Sequence, residues 1–349
     1  LNEARVLILD EPTSSLTEAE ADHLFAVVDG LKADGVGVIL ISHHLNEVIS
    51  KGDRITVLRD GSVVATVRRG EVDEEALIRM IVGRSRSELF PPLSPPGADI
   101  AVRFADVGTD DLSGISFDLR QGEILGVAGL AGSGAATVGR ALFGLERVNA
   151  GTIRLGDRAL SHPSPRRMLA EGVIYFPSDR HGEALLTTRD VKENLTIEAL
   201  GRIFSPRGLV DRGREKQAAA TAAARLQVKA AGIDAPITTL SGGNQQKVVL
   251  ARGLVRDFKV LVLDDPTIGV DMQTKSEIYH LLADLARQGT AIILISSDLE
   301  ELMAMSHRMM VMRGGRMAAP PEATAGRSKE HFLSLFFPGA NSPAAERVQ

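Results

Sequence analysis

"VLVLDDPT" (260–267) decides how the rest of the chain is read. Val260 to Leu263 are apolar without a break, and a pair of carboxylates follows. Such a run describes a strand buried on both faces of a parallel sheet and ending in acid. The same phrase stands near the start of the chain as "VLILDEPT" (6–13). Working outward from the two copies, residues 6–61 align without a gap on residues 260–315. "VILISHHLNEV" (38–48) matches "IILISSDLEEL" (292–302), and "DRITVLRDG" (53–61) matches "HRMMVMRGG" (307–315). About a third of the positions are identical, and the period is far longer than the 20–50 residues of a solenoid. The repeat is therefore of a whole domain. A further echo, "DEEALIRMIVG" (73–83) against "SKEHFLSLFFPG" (328–339), predicts a short closing helix after each copy.

Apolar runs alternate with helical stretches: "VLILD", a helix over 18–33, "VGVILIS", a helix over 45–51, then "RITVLRDG". The fold class is α/β, with a mostly parallel sheet. The downstream copy has residues 99–259 ahead of its acid pair, whereas the upstream copy has only "LNEAR". We expect the first domain to lack about 155 residues at its start and the intact chain to run to about 500. The expected organisation is a first partial domain over 1–89, a Pro-rich linker "FPPLSPPG" within 90–98, and a second domain over 99–320. A tail with one short helix follows over 321–349, rich in Ala, Pro, Gly and Ser and expected to be largely unordered.

Composition limits the function. The 349 residues are 44% apolar and 24% charged, as in ordinary globular proteins. A net charge of −5 and a pI near 6.0 argue against a nucleic-acid partner. No cysteine is present, so disulfides and zinc–thiolate sites are excluded. No apolar run approaches the roughly 18–20 residues of a membrane span. The first residues show no signal-peptide pattern and begin just ahead of a strand, which reads as a cut chain.

Three motifs carry chemistry. Asp10 and Asp264 end their strands where an NTPase holds Mg²⁺, directly or through water, and Glu11 or Asp265 follows where an acid can orient the attacking water. A strand-end acid can also merely cap a helix, but the paired occurrence with Pro-Thr behind it argues for the site. "GLAGSGAAT" (129–137) has the glycine spacing of a phosphate loop in Gly129, Gly132 and Gly134, with Ser133 between them. Ala135 and Ala136 replace the lysine and the hydroxyl, and Thr137 lies beside them. In "LSGGNQQKVVLARGL" (240–254), Ser241, Gly242 and Gly243 open a helix whose free N–H groups and dipole suit an anion such as a γ-phosphate.

With this spacing, residues 1 to about 337 resemble the ATP-binding cassette ATPases, specifically the double-cassette ATP-binding subunits of monosaccharide importers of the ribose, galactose and xylose type. "LSGGNQQK" is a specific mark of that branch. The resemblance implies P-loop NTPase-type cassettes in tandem, each a mostly parallel sheet with a helical subdomain, the first copy partial. It implies ATP and Mg²⁺ as cofactors and Asp10 as the Walker B acid. Glu11 and His43 become the catalytic acid and switch histidine, "SSLT" (14–17) the D-loop, and Gln245 joins the nucleotide-binding signature. In the second cassette the corresponding positions are degenerate: Asp265 for glutamate and Ser297 for histidine. "YFPSDRHGEALL" (175–186) has Asp179 and Arg180 where a glutamine loop would lie, with Ser178 where related subunits often carry an acid.

In this family two cassettes close head to tail, so a disarmed second cassette still supplies Ser241, Gly242 and Gly243 to the first. The glycine turn persists either because the strand–turn–helix needs it or because nucleotide still binds there. The Ala-rich segment 214–232 predicts a helix of the subdomain that, in this family, meets the membrane subunits. The implied partners are integral-membrane permease subunits and, indirectly, a periplasmic or lipid-anchored substrate-binding protein, at the cytoplasmic face of the membrane. The rivals are a soluble double-cassette ATPase, which calls for two intact sites or a basic face, and an inactive truncated remnant.

Overall fold

The computed structural model describes residues 4–13, 18–42, 45–59, 61–82, 89–160, 162–205 and 209–336. The chain divides into two compact units, Leu1–Phe90 with Asp271–Ser276, and Pro91–Val270 with Glu277–Gln349. In the first unit the elements follow the apolar pattern: β1 (Val6–Asp10), α1 (Glu18–Ala33), β2 (Gly37–Ile41), α2 (Leu45–Lys51), β3 (Arg54–Arg59), β4 (Ser62–Arg68) and α3 (Glu74–Val82). Strands β1 and β2 pair in parallel, Val6 against Gly37 through Asp10 against Ile41. Strands β3 and β4 form an antiparallel ribbon. Its inner face, Ile55 and Val57, packs on Leu77 of α3 to make a small core.

One expectation fails here. The apolar run of β1 is not covered on both faces, for Val6 is 58% and Ile8 63% exposed. Among the described residues β1 and β2 pair only with each other, so neither has a further strand on its open edge.

In the second unit the chain runs β5 (Ile100–Gly108), β6 (Ile115–Arg120), β7 (Ile124–Gly129), α4 (Ala135–Phe143), β8 (Ala150–Leu155), β9 (Arg158–Leu160), α5 (Pro165–Ala170) and β10 (Val173–Phe176). It continues through α6 (Val191–Thr196), α7 (Arg212–Arg225), α8 (Gly242–Gly253), β11 (Val260–Asp264), α9 (Met272–Arg287, whose first residues Met272–Ser276 group with the first unit), β12 (Ala291–Ser296) and α10 (Leu299–Met305). It closes with β13 (Arg308–Arg313), β14 (Arg316–Met317), β15 (Glu322–Ala323) and α11 (Lys329–Phe336). The main sheet has the order β10-β11-β12-β7-β13-β14, with β15 also on β13. Strands β10, β11, β12, β7 and β13 are parallel, while β14 and β15 are antiparallel to β13. A second, antiparallel sheet has the order β6-β5-β8-β9. Every residue of β11 and β12 is buried, as continuous apolar strands between layers require. The core joins both sheets through α4, with Phe104 and Phe117 stacked 4.6 Å apart at its antiparallel side.

Two further readings are corrected. The Ala-rich helix ends at Arg225 rather than near residue 232. Gln227 takes a left-handed φ of 49°, and Gln227 and Val228 donate back to Ala224 and Ala223, which closes the helix. Within the tail, residues 321–336 pack on the second unit: Thr324 donates to the Ser306 carbonyl, and Phe332 is fully buried. Residues 91–97 carry no strand, as their prolines dictate. The segment is nevertheless tied down, since His307 Nε2 bonds the Ser94 carbonyl at 2.8 Å and Gly97 N–H donates to Gln121 at 2.8 Å.

Candidate functional site

Parallel register brings the carboxyl ends of β11, β12 and β7 side by side: Asp264 lies opposite Ile295, and Ser296 opposite Ala128. Ligands of open α/β sheets bind beyond such ends. Here the structure gathers the glycine loop 129–134, the acid pair Asp264–Asp265, and Ser297. Gly132 and Gly134 adopt φ of 76° and 92°, which a residue with a Cβ resists, so the glycines are needed for this turn.

The loop's interior is closed on itself. Ser133 is buried, and its hydroxyl folds over Gly129, where a Cβ would lie 2.1 Å from it. The Ser133 hydroxyl accepts the Ala135 N–H at 3.4 Å, an N–H that an anion-binding loop would offer to phosphate. At the lysine position, the Ala135 methyl is buried in the hydrophobic core. Ala136 and Thr137 follow in the first turn of α4, which has no acidic residue there.

Asp264 is only 6% exposed and accepts the Tyr175 hydroxyl at 3.2 Å. Burial pushes its carboxyl up to about 6, and the adjacent Asp265 adds to the rise, while the bond from Tyr175 and the charge of Arg140 oppose it. Burial likewise pushes the Tyr175 phenol up, further helped by the Asp264 charge. Asp265 carries a left-handed φ of 45° and is held by Ser297, whose N–H and hydroxyl donate to its Oδ1 at 2.8 and 2.9 Å. Ser297 therefore occupies one oxygen of Asp265 with both its N–H and its hydroxyl.

These groups do not fit a Mg²⁺–nucleotide site. The acid at the end of β11 is buried under the Tyr175 hydroxyl, its neighbour is already bonded, and the expected hydroxyl ligand is Ala136. Among the described residues no cluster of three or more His, Cys, Asp or Glu is positioned to hold a metal.

In the first unit Asp10 and Glu11 are exposed at the end of β1. Glu11 has the same φ of 45°, and its N–H donates to the Ile41 carbonyl at 2.8 Å, as Asp265 N–H does to Ile295 at 2.9 Å. His43 and the "SSLT" stretch lie outside the described residues.

The signature turn opens α8. Ser241 is exposed at the N-cap with no side-chain cap bond; its hydroxyl accepts from Asn244 Nδ2 at 2.9 Å. Gly242 and Gly243 occupy the first turn of α8, the element whose free N–H groups the sequence assigns to an anion. Gln245 departs from expectation. It is buried and donates to the carbonyls of Ile237 and Leu240, both at 3.3 Å, so it braces the turn before the helix instead of facing a ligand. Sequence reasoning missed Arg180 as a partner of this turn: its Nη1 donates to the Gly242 carbonyl at 3.0 Å. It also missed Arg252, buried in α8, which donates to the carbonyls of Asn194 and Ala184 at 2.7 Å each and pairs with Glu198. Its signal was a charge in the middle of an apolar helical stretch, "VVLARGL".

The ABC transporter family matches residues 112–268. Ribose import ATP-binding protein RbsA 2 of Rubrobacter xylanophilus is 43% identical over 319 residues, 91% of this chain and 61% of that protein. RbsA 1 of the same organism is 42% identical over 340 residues, 97% of this chain and 68% of its own length. RbsA of Lactococcus lactis is 41% identical, covering 91% of this chain and 64% of that protein. The chain thus spans roughly two thirds of the length of the curated relatives it matches. Among solved structures, an ATP-binding cassette in a post-hydrolysis state bound to ADP and Pi aligns with a TM-score of 0.56 at 20% identity, over 65% of this chain and 100% of that one. A nucleotide-free cassette aligns with a TM-score of 0.56 at 20% identity, over 68% of this chain and 94% of its own. At that identity the likeness concerns the fold.

Proposed function

The chain belongs to the ABC transporter family, and from that premise we propose that it is the larger part of an ATP-binding subunit that energises sugar import, with ribose the sugar named for its relatives. The two units are parts of two cassettes in tandem. The repeat supports this, and so do β1 and β2, whose apolar faces stand exposed while their copies β11 and β12 are buried between β10 and β7. Strands equivalent to β10 and β7, with an intact phosphate loop, would complete the first cassette.

The division of labour rests on one observation: Asp265 is bonded by Ser297 beside a loop whose lysine position is a core alanine. Unit 2 is the non-hydrolytic cassette and contributes its signature turn, Ser241 to Gly243. Unit 1 carries the working acids. Asp10 would hold Mg²⁺, whose role is to neutralise charge on the phosphates, and Glu11 orients the water that attacks in line, with His43 at the γ-phosphate. Permease subunits at the cytoplasmic face of the membrane would receive the motion, with a substrate-binding protein acting through them. Leu186, Ile197, Leu209 and Val210, near α6 and α7, are exposed apolar side chains that such a contact would cover.

The test is ATP turnover and ribose uptake in vesicles that hold the natural full-length chain with its permease subunits. We expect Glu11→Gln to abolish both and Asp265→Asn to leave turnover within about threefold. Equal loss from the two would show unit 2 to be hydrolytic, and turnover without any permease dependence would favour the soluble rival.

A further inference from the structure

The two units differ at their catalytic positions, yet each keeps the same three-residue polar network behind them. In unit 1, Thr13 Oγ1 and Ser42 Oγ both donate to Glu47 Oε2, at 3.0 and 3.1 Å. In unit 2, Thr267 Oγ1 donates to both carboxylate oxygens of Glu301, at 2.9 and 3.0 Å, and Ser296 Oγ donates to its Oε2. Each glutamate is the third residue of the short helix after the switch strand, α2 or α10. Each threonine lies two residues beyond the acid, and each serine directly precedes residue 43 or 297. One carboxylate thus ties the end of the acid strand to the end of the switch strand.

The tie answers a physical need. Glu11 and Asp265 both hold φ at 45°, a conformation that side chains with a Cβ resist and that persists only where the surroundings determine it from several sides. The acid's N–H is fixed to the neighbouring strand, through the carbonyl of Ile41 or Ile295. The glutamate fixes the chain on the far side of the acid. Its survival in unit 2, beside Ser297 and Asp265, separates it from the chemistry: the network sets backbone, whatever side chain the acid position carries.

We infer that Glu47, acting through Thr13 and Ser42, is a positioning residue for hydrolysis, which holds the Glu11 backbone between the ends of β1 and β2 for water attack. This rests on the reading of Glu11 as the acid that orients water. The test uses the full-length importer in vesicles and, separately, this chain. Glu47→Gln and Thr13→Val should each lower kcat on the order of tenfold with KM for ATP within about twofold. Thr13→Ser should restore the rate, and the double variant should be no worse than the worse single one, since both remove one network. In this chain, Glu47→Gln should speed amide exchange at Glu11 and Thr13 at least about tenfold while leaving β3 and β4 unchanged.

An active wild type whose Glu47→Gln variant keeps its kcat, or loses rate only through KM, would overturn the positioning role alone. A wild type with no turnover would overturn the hydrolytic reading, and the exchange experiment would still decide the clamp. Exchange that stays the same, or rises throughout the unit, sinks it.

Discussion

At Asp264 burial outweighs hydrogen bonding. Desolvation and the neighbouring Asp265 raise the carboxyl to about 6 from 3.8, against the pull of Tyr175, Arg140 and Ser178. Between about pH 4 and 6 the folded chain therefore keeps a proton that the unfolded chain has released, so stability falls as pH rises through that window. Above it the penalty is complete. Asparagine keeps the shape and the acceptor for Tyr175 without the charge, so Asp264→Asn should stabilise the chain at pH 7.5 by on the order of 1–3 kcal/mol. At pH 4 it should change little. Urea unfolding at the two pH values checks this, and a variant less stable at pH 7.5 would mean that the Tyr175 bond to the ionised carboxylate is the larger effect. The residue types at this site were legible beforehand: Ala135, Ala136, Asp265 and Ser297 depart from the phosphate-loop and acid pattern. That Ser297 would bond Asp265, and that Gln245 would turn inward, depended on side-chain directions that one residue's identity does not set.

At the scale of elements, α4 lies so close to the sheet that a Cβ on Gly139 would stand 2.7 Å from Val262 Cγ1 and 3.0 Å from Ile295 Cδ1. Two effects oppose each other in Gly139→Ala. Helix propensity favours alanine by about 1 kcal/mol, while overpacking costs about 1–3 kcal/mol. Both neighbours are buried and wedged between layers, so overpacking should win, with a net loss near 1 kcal/mol. A thermal midpoint above that of the parent would show that the layers can part. Arg252→Met belongs to the same scale. It removes the buried donor to Asn194 and Ala184 and leaves Glu198, already pushed up by burial, with only the charge of Arg256 to oppose the rise. A loss of about 3–5 kcal/mol is expected in urea unfolding. Helices over 18–33 and 45–51 were readable from apolar spacing, because a stripe on one face repeats wherever it packs. The early stop of the Ala-rich helix was not, because alanines raise propensity without marking an end, and Gln227 in a left-handed conformation is no sequence signal. Packing of the tail was hidden for a related reason: one phenylalanine, Phe332, anchors it in a stretch whose composition is that of a loop.

For the whole molecule, the repeat made two similar segments legible, but it could not show that like runs would be buried in one unit and exposed in the other. Burial belongs to neighbours, and β11 has β10 and β12 beside it where β1 has β2 alone. The same asymmetry shapes the last prediction. On the proposed reading unit 2 is non-hydrolytic, because Asp264 is buried under Tyr175 and Asp265 is already bonded by Ser297. Its signature turn is another matter. Ser241 is exposed, and its hydroxyl, which accepts from Asn244 but caps no helix N–H, keeps its own proton to donate to a phosphate at the N-terminus of α8. Ser241→Arg places a long side chain over that terminus and fills the space a phosphate would need, while the exposed position tolerates it in the folded chain. In the full-length importer, turnover should therefore fall at least about a hundredfold, as far as with Glu11→Gln, with the unfolding midpoint of the chain unchanged. Asp265→Asn, in the same unit, should cost about threefold or less. ATPase rates of the three variants, measured together in vesicles, decide it. If Ser241→Arg turned over ATP at the parent rate, unit 2 would contribute neither acid nor signature, and its retained α8 would have only a structural role.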